Sequence, residues 1–251
     1  GGDDDDALYG GEANDRLWGG LGDDLLDGGT GDDHLSGGDG IDKLWGQAGN
    51  DILHGGLEDD RLNGGSGNDL LFGDGGNDTI NGGNDSDIIV GGDGNDKLYG
   101  DQGDDRLLGG AGENLIYGGV GDDTIIGGDD NDQLFGEADN VRIFAGAGND
   151  ILYLGAGDDY AHGEEGADLI HGGNGNDRIW GNDGDDIING DLGDDIIEGG
   201  LGNDEINTGD GDDRAYGRDG DDNIHTDDGN DIVFGGNGHD IIKGWGDDDV
   251  L

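Results

Sequence analysis

A bulky aliphatic residue returns at almost every ninth position of this chain, beginning with Leu8, Leu17, Leu26 and Leu35, and its neighbours on either side are mostly polar. Neither the 3.6-residue period of an amphipathic helix nor a sustained two-residue alternation is present. One aliphatic residue between two flanking positions suits a short strand that turns a single side chain inward. Counted from Gly1, the 251 residues divide into 27 complete nonamers and a last one of eight, without insertion or deletion. A fixed short period of this kind predicts a solenoid, whose units bury their apolar residues only by stacking on one another.

Column by column, the nonamer reads G-G-x-G-x-D-x-U-x, where U is Leu, Ile or Val; typical units are GGTGDDHLS (Gly28 to Ser36) and GGNGNDRIW (Gly172 to Trp180). Position 1 is Gly in 24 of 28 units, position 4 is Gly in 21, position 6 is Asp in 26 and position 8 is U in 26. The first six residues are expected to form a turn, because glycine reaches positive φ and lets carbonyl oxygens crowd together. Position 5 is Asp or Asn in 23 units, which fits left-handed geometry there. The strand is then expected to be x-U-x alone.

Composition narrows the reading. The chain has 65 Gly, 64 Asp plus Glu against 10 Lys plus Arg, a formal charge of -54, and no Pro, Cys or Met. Such a composition ordinarily marks a disordered chain. Disorder gives no reason to hold an aspartate and an aliphatic at fixed phase through 28 units. Without cysteine there is no disulfide framework, zinc ribbon or thiolate nucleophile. No run approaches the roughly 18 apolar residues of a membrane span. The charge argues against nucleic acid and anionic membranes as partners, and for cations.

The nonamers resemble the RTX (repeat-in-toxin) repeats over the whole chain. The resemblance implies an all-β fold: a right-handed parallel β-roll, or β-solenoid, with two nonapeptides per coil, about 14 coils and two parallel sheets. It implies a calcium-binding turn in G-G-x-G-x-D, with repeat n stacked on repeat n + 2. The expected metal residues form two columns. One holds Asp6, Asp24, Asp42, Asp60, Asp78, Asp96, Asp132, Asp150, Asp168, Asp186, Asp204, Asp222 and Asp240. The other holds Asp15, Asp33, Asp51, Asp69, Asp87, Asp105, Asp123, Asp159, Asp177, Asp195, Asp213, Asp231 and Asp249. Calcium takes six to eight hard oxygens, so each turn supplies about half a site and a second turn the rest. Filling every gap would take up to about 26 Ca²⁺, whose charge nearly cancels the -54 of the chain.

Metal is not optional on this reading. Carboxylates stacked about 4.8 Å apart repel by about 0.8 kcal/mol per pair in water. Over some two dozen neighbours, roughly halved by screening, the sum is on the order of 10 kcal/mol, comparable to a whole domain's stability. The metal-free chain is expected to be unfolded.

The repeat weakens at residues 109–162, within a single continuous roll expected over 1–251. Position 6 is Asn114 in one column and Val141 in the other, and Ala145 and Leu154 replace first-position glycines. Val141 cannot ligate, so its bordering sites are expected to be weak or empty, whereas Asn114 still offers a neutral oxygen. Twelve of 14 aromatics occupy position 9 and eight of ten Lys plus Arg occupy position 7. These ladders suit either cross-strand packing or a lateral partner.

Six His and three Ser show no triad or H-E-x-x-H helix, and the repeat accounts for the paired carboxylates, so no enzyme is expected in this chain. The resemblance implies a calcium-binding structural module of a secreted, extracellular protein, exported by type I secretion and folding on calcium outside the cell. Two other roles stay open. One is a self-assembling fibre subunit, joined end to end or through the aromatic ladders. The other is the C-terminal secretion and folding module of a toxin, an alginate-epimerase-like or a protease-like enzyme. Neither end carries a polar capping repeat, so the chain is expected to belong to a larger chain or assembly.

Overall fold

The fold follows from one alternation. Positions 6, 8 and the next position 1 all face inward, as Asp24, Leu26 and Gly28 do, while positions 7 and 9 stay partly exposed. A computed structural model describes residues 1–246 and 248–251. Among these residues there are 27 strands and no helix. None of the described residues forms a helix long and apolar enough to cross a membrane.

The chain divides into two compact units, Gly1–Gly128 and Asp129–Leu251; the division falls inside the weakened stretch 109–162. In the first unit, alternate strands from Ala7–Glu12 to Leu115–Val120 make one parallel sheet, and those from Arg16–Leu21 to Thr124–Asp129 make the other. The second unit repeats the arrangement, with one set running from Gln133–Ala138 to Ile241–Gly244 and the other from Arg142–Ala147 to Ile232–Asn237. Each unit is thus a parallel β-solenoid. Partners are 18 residues apart, as in Leu8↔Leu26 and Ile170↔Ile188, so two nonamers complete one coil.

Strands are longer than x-U-x. A typical one covers positions 7, 8 and 9 and then 1, 2 and 3 of the next nonamer, as in Leu25–Thr30, LLDGGT. Between Ala7–Glu12 and Leu25–Thr30 the paired positions are 7, 8, 9, 2 and 3, including Gly11↔Gly29. The glycines join the ladder because identical segments lie directly above one another, which period alone does not reveal. The true turn shrinks to positions 4 to 6. Positive φ falls at positions 2 and 4, for example +104° at Gly29 and +121° at Gly31, and also at Gln47, Asp74 and Arg218. No described residue at position 5 has positive φ, so left-handed geometry does not explain its Asp and Asn.

The apolar core is one residue wide. Position 8 is buried at Leu26, Leu35, Leu44 and Leu53, and in the second unit at Ile170, Ile179 and Ile188. Outside, ninth-position rings stack face to face along each sheet: His54 on Phe72 at 4.6 Å, Tyr99 on Tyr117 at 5.3 Å, and Phe144 on His162 on Trp180 at 5.7 and 4.7 Å. Cross-strand packing is therefore what these rings do within each unit.

Two adjacent isoleucines test this geometry. Ile89→Ala removes a fully buried side chain and is expected to cost about 2–5 kcal/mol in denaturant unfolding. Ile88→Ala, at a site 43% exposed, is expected to stay within about 0.5 kcal/mol of the parent chain.

Candidate metal centres

Every sixth-position aspartate from Asp24 to Asp231 is buried, at 0–3% exposure. Asp6, Asp15, Asp240 and Asp249 are half-buried. From Asp24 onward, one carboxylate oxygen is typically used within the column. The Asp24 amide donates to Asp42 Oδ1 at 2.7 Å, Asp42 to Asp60 at 2.7 Å, and in the second unit Asp177 to Asp195 at 2.8 Å. Position 5 builds a second ladder running the other way, on the exposed side of the turn. The amide of Asp32 donates back to Asn14 Oδ1 at 3.0 Å, that of Asn50 to Asp32 at 3.0 Å, and that of Asp158 to Asn140 at 2.7 Å. This acceptor role is why position 5 favours Asp and Asn.

The second carboxylate oxygen is left over. Oδ2 of Asp24, Asp42, Asp60, Asp87, Asp177 and Asp195, among others, is buried without a hydrogen-bond partner among the described residues. It points at the first-position glycine of its own turn. A Cβ added to Gly55 would lie 2.5 Å from Asp60 Oδ2 and 2.8 Å from the Gly73 carbonyl oxygen; one added to Gly172 would lie 2.6 Å from Asp177 Oδ2 and 2.5 Å from the Gly190 carbonyl oxygen. Glycine is favoured here because a carboxylate oxygen and a carbonyl oxygen already crowd the space.

Burial sets the electrostatics. Removal from water pushes the Asp60, Asp87 and Asp195 carboxyls up to about 8. Asp69, Asp96 and Asp168 rise to about 7. The accepted backbone N–H opposes the rise, and neighbouring carboxylates in the same column add to it. By contrast, exposed Asp212 at position 5 is lowered by the N–H of Asn230. A buried anion with an unpartnered oxygen takes up either a proton or a cation.

The donor set fits calcium. It consists of hard oxygens only, from sixth-position carboxylates and backbone carbonyls of stacked turns. No three His, Cys, Asp or Glu side chains converge to form a metal cage among the described residues, so carbonyl oxygens must complete each ligand set. Models of the RTX calcium-binding nonapeptide repeat (4 copies) match residues 1–35, 27–62, 54–89, 82–116, 99–134, 108–143, 126–161, 162–197, 191–224, 198–233 and 216–251. The chain belongs to the RTX calcium-binding repeat family. No curated protein matches it.

Two RTX turns lack the inward oxygen. Val141 is buried, and its Cγ1 occupies the space beside Gly136 where a carboxylate oxygen would stand; its backbone amide still donates to Asp159 Oδ1 at 2.7 Å. The neutral oxygen expected of Asn114 is already engaged by the Asp96 amide at 3.0 Å. Its inward atom is Nδ2, which donates to the Gly112 carbonyl at 2.9 Å. The RTX repeats also pair position 9 with position 2 of a neighbouring coil, 20 residues on. His54 Nδ1 lies 3.0 Å from Asp74 Oδ2, His162 Nδ1 2.9 Å from Asn182 Oδ1, and Arg218 2.8 Å from Glu198. Only the period-18 stacking could have revealed that signal.

The raised carboxyls fix the sign of a pH effect. They are higher in the folded turn than the ordinary 3.8, so their contribution to the metal-free fold is full below about pH 4 and is lost as pH rises through 6 to 8. Circular dichroism of desalted, metal-free protein is expected to show more β-structure at pH 4 than at pH 8.

Proposed function

We propose that this RTX domain is a calcium-dependent structural module of an extracellular protein, exported unfolded and folded by calcium outside the cell. The observation that carries the reading is the columns of buried aspartates, in which Oδ2 of Asp24, Asp60, Asp87 and Asp195, for example, has no hydrogen-bond partner among the described residues. Where calcium is scarce the column repels itself and the thin core cannot hold the many glycines in place. At the roughly 0.1–1 mM affinities of extracellular modules, the ions bridge stacked turns and the coils form. The expected load approaches 26 ions, less those lost at Asn114 and Val141.

Type I secretion suits such a chain, because low cytosolic calcium keeps it unfolded during export. We assign it no catalysis of its own; in a toxin, an epimerase-like or a protease-like parent, the chemistry would belong to another domain. A fibre subunit is the weaker reading, because the ring faces that would meet a lateral partner are spent on one another, as at Tyr153 and His171, 4.9 Å apart.

Calcium titration at neutral pH, followed by circular dichroism and light scattering, tests the proposal. Chelated protein is expected to be coil and to turn to β-structure near millimolar calcium as a monomer. A β signal that persists unchanged in chelator at pH 7.5 would overturn the reading, and growth into long particles would favour the fibre.

A further inference from the structure

Position 1 and position 8 of one nonamer are neighbours inside the coil. A Cβ on Gly190 would stand 3.2 Å from Ile197 Cδ1, and one on Gly244 would stand 3.4 Å from Leu251 Cδ1. Bulk at one position therefore has to be balanced at the other. Position 8 is Leu or Ile in every repeat except three, which carry Ala161, Ala215 and Val233. Those same three repeats carry the only first-position residues larger than alanine, namely Leu154, Thr208 and Thr226. Drift has no reason to remove volume at position 8 only where volume is added at position 1.

Leu154 shows that an apolar side chain is enough to fill the exchanged space, and it is fully buried. The threonines bring an oxygen as well. Thr208 and Thr226 are fully buried, with their hydroxyls beside the carboxyls of Asp213 and Asp231 respectively. Oγ1 of both threonines and Oδ2 of both aspartates have no hydrogen-bond partner of good geometry among the described residues. Each hydroxyl lies close enough to its aspartate to oppose the rise of that carboxyl, but without a hydrogen bond of good geometry it recovers little of what its burial costs. Valine would fill the same volume without that cost.

We propose that Thr208 and Thr226 mark a second class of cation site in this chain, in which a threonine hydroxyl oxygen joins the carboxylate of Asp213 or Asp231 as a ligand for calcium. The proposal rests on the calcium-dependent reading above. In an ordinary turn the first position is glycine and contributes only backbone oxygen; here the side chain adds a neutral oxygen, and the small residue at position 8 makes room for it.

Native mass spectrometry at stepped free calcium counts the ions on the full chain. The double variant Thr208→Val with Thr226→Val is expected to carry up to two fewer ions below saturation and to need about tenfold more calcium to regain them. The double serine variant is expected to stay within about twofold of the parent, since it keeps both oxygens. An unchanged ion count and midpoint in the valine variant would overturn the inference and leave the calcium reading intact. A parent chain that takes up no calcium would overturn both. Should the valine variant fail to fold, the double alanine variant, patterned on the first-position Ala145, decides: fewer ions than the parent below saturation supports the hydroxyl ligand, and an equal count and midpoint overturns it.

Discussion

Everything in this fold depends on a carboxylate that has been taken out of water and only half satisfied. Oδ1 of Asp60 accepts a backbone N–H from Asp42 in the neighbouring coil while its Oδ2 has no hydrogen-bond partner among the described residues, and Asp24, Asp87 and Asp195 repeat the arrangement. An interior arranged this way is stable only with something positive in it. The same Oδ2 favours the glycine at position 1, since a side chain at Gly55 would stand on top of it. Metal binding and chain geometry are thus one requirement.

The units are thin, and their apolar contribution is correspondingly small. A single aliphatic per nonamer, such as Leu44 or Ile188, fills the space between the sheets. Outside, the rings at position 9 and the pairs they make with position 2, such as His54 with Asp74, tie neighbouring coils together along the sheet. These contacts repeat at every coil that carries the right residues, so local losses stay local. Val141 illustrates this: its side chain supplies no oxygen, yet its amide keeps the ladder bond to Asp159.

Much of this was legible from period and phase alone. The nine-residue repeat places the inward aliphatic at Leu26 and the aspartate at Asp24, and the two-nonamer coil was implied by the resemblance to RTX repeats. Less legible was whatever depends on one coil lying on another. Gly28 and Gly29 read as turn residues because glycine usually breaks strands, yet parallel stacking draws them into Leu25–Thr30. Position 5 read as a left-handed site, whereas Asn14 and Asp32 are chosen for the amide they accept 18 residues on. Asn114 looked like a weaker ligand, but its oxygen is already taken by Asp96. The exchange between Thr208 and Ala215 stands in plain view in the sequence, but it has meaning only once positions 1 and 8 are known to touch.

The two aspartate ladders run in opposite senses, and this gives a stack of coils a direction. At position 6 the amide of one coil reaches forward, Asp24 to Asp42, and at position 5 it reaches back, Asp32 to Asn14. A coil added on the C-terminal side must therefore bring a carboxylate to an amide already waiting inside, and find an acceptor already waiting outside. A coil added on the N-terminal side must do the reverse. The two faces of a coil are therefore chemically distinct: each matches only a neighbour in the same orientation, and an inverted neighbour would set donor against donor.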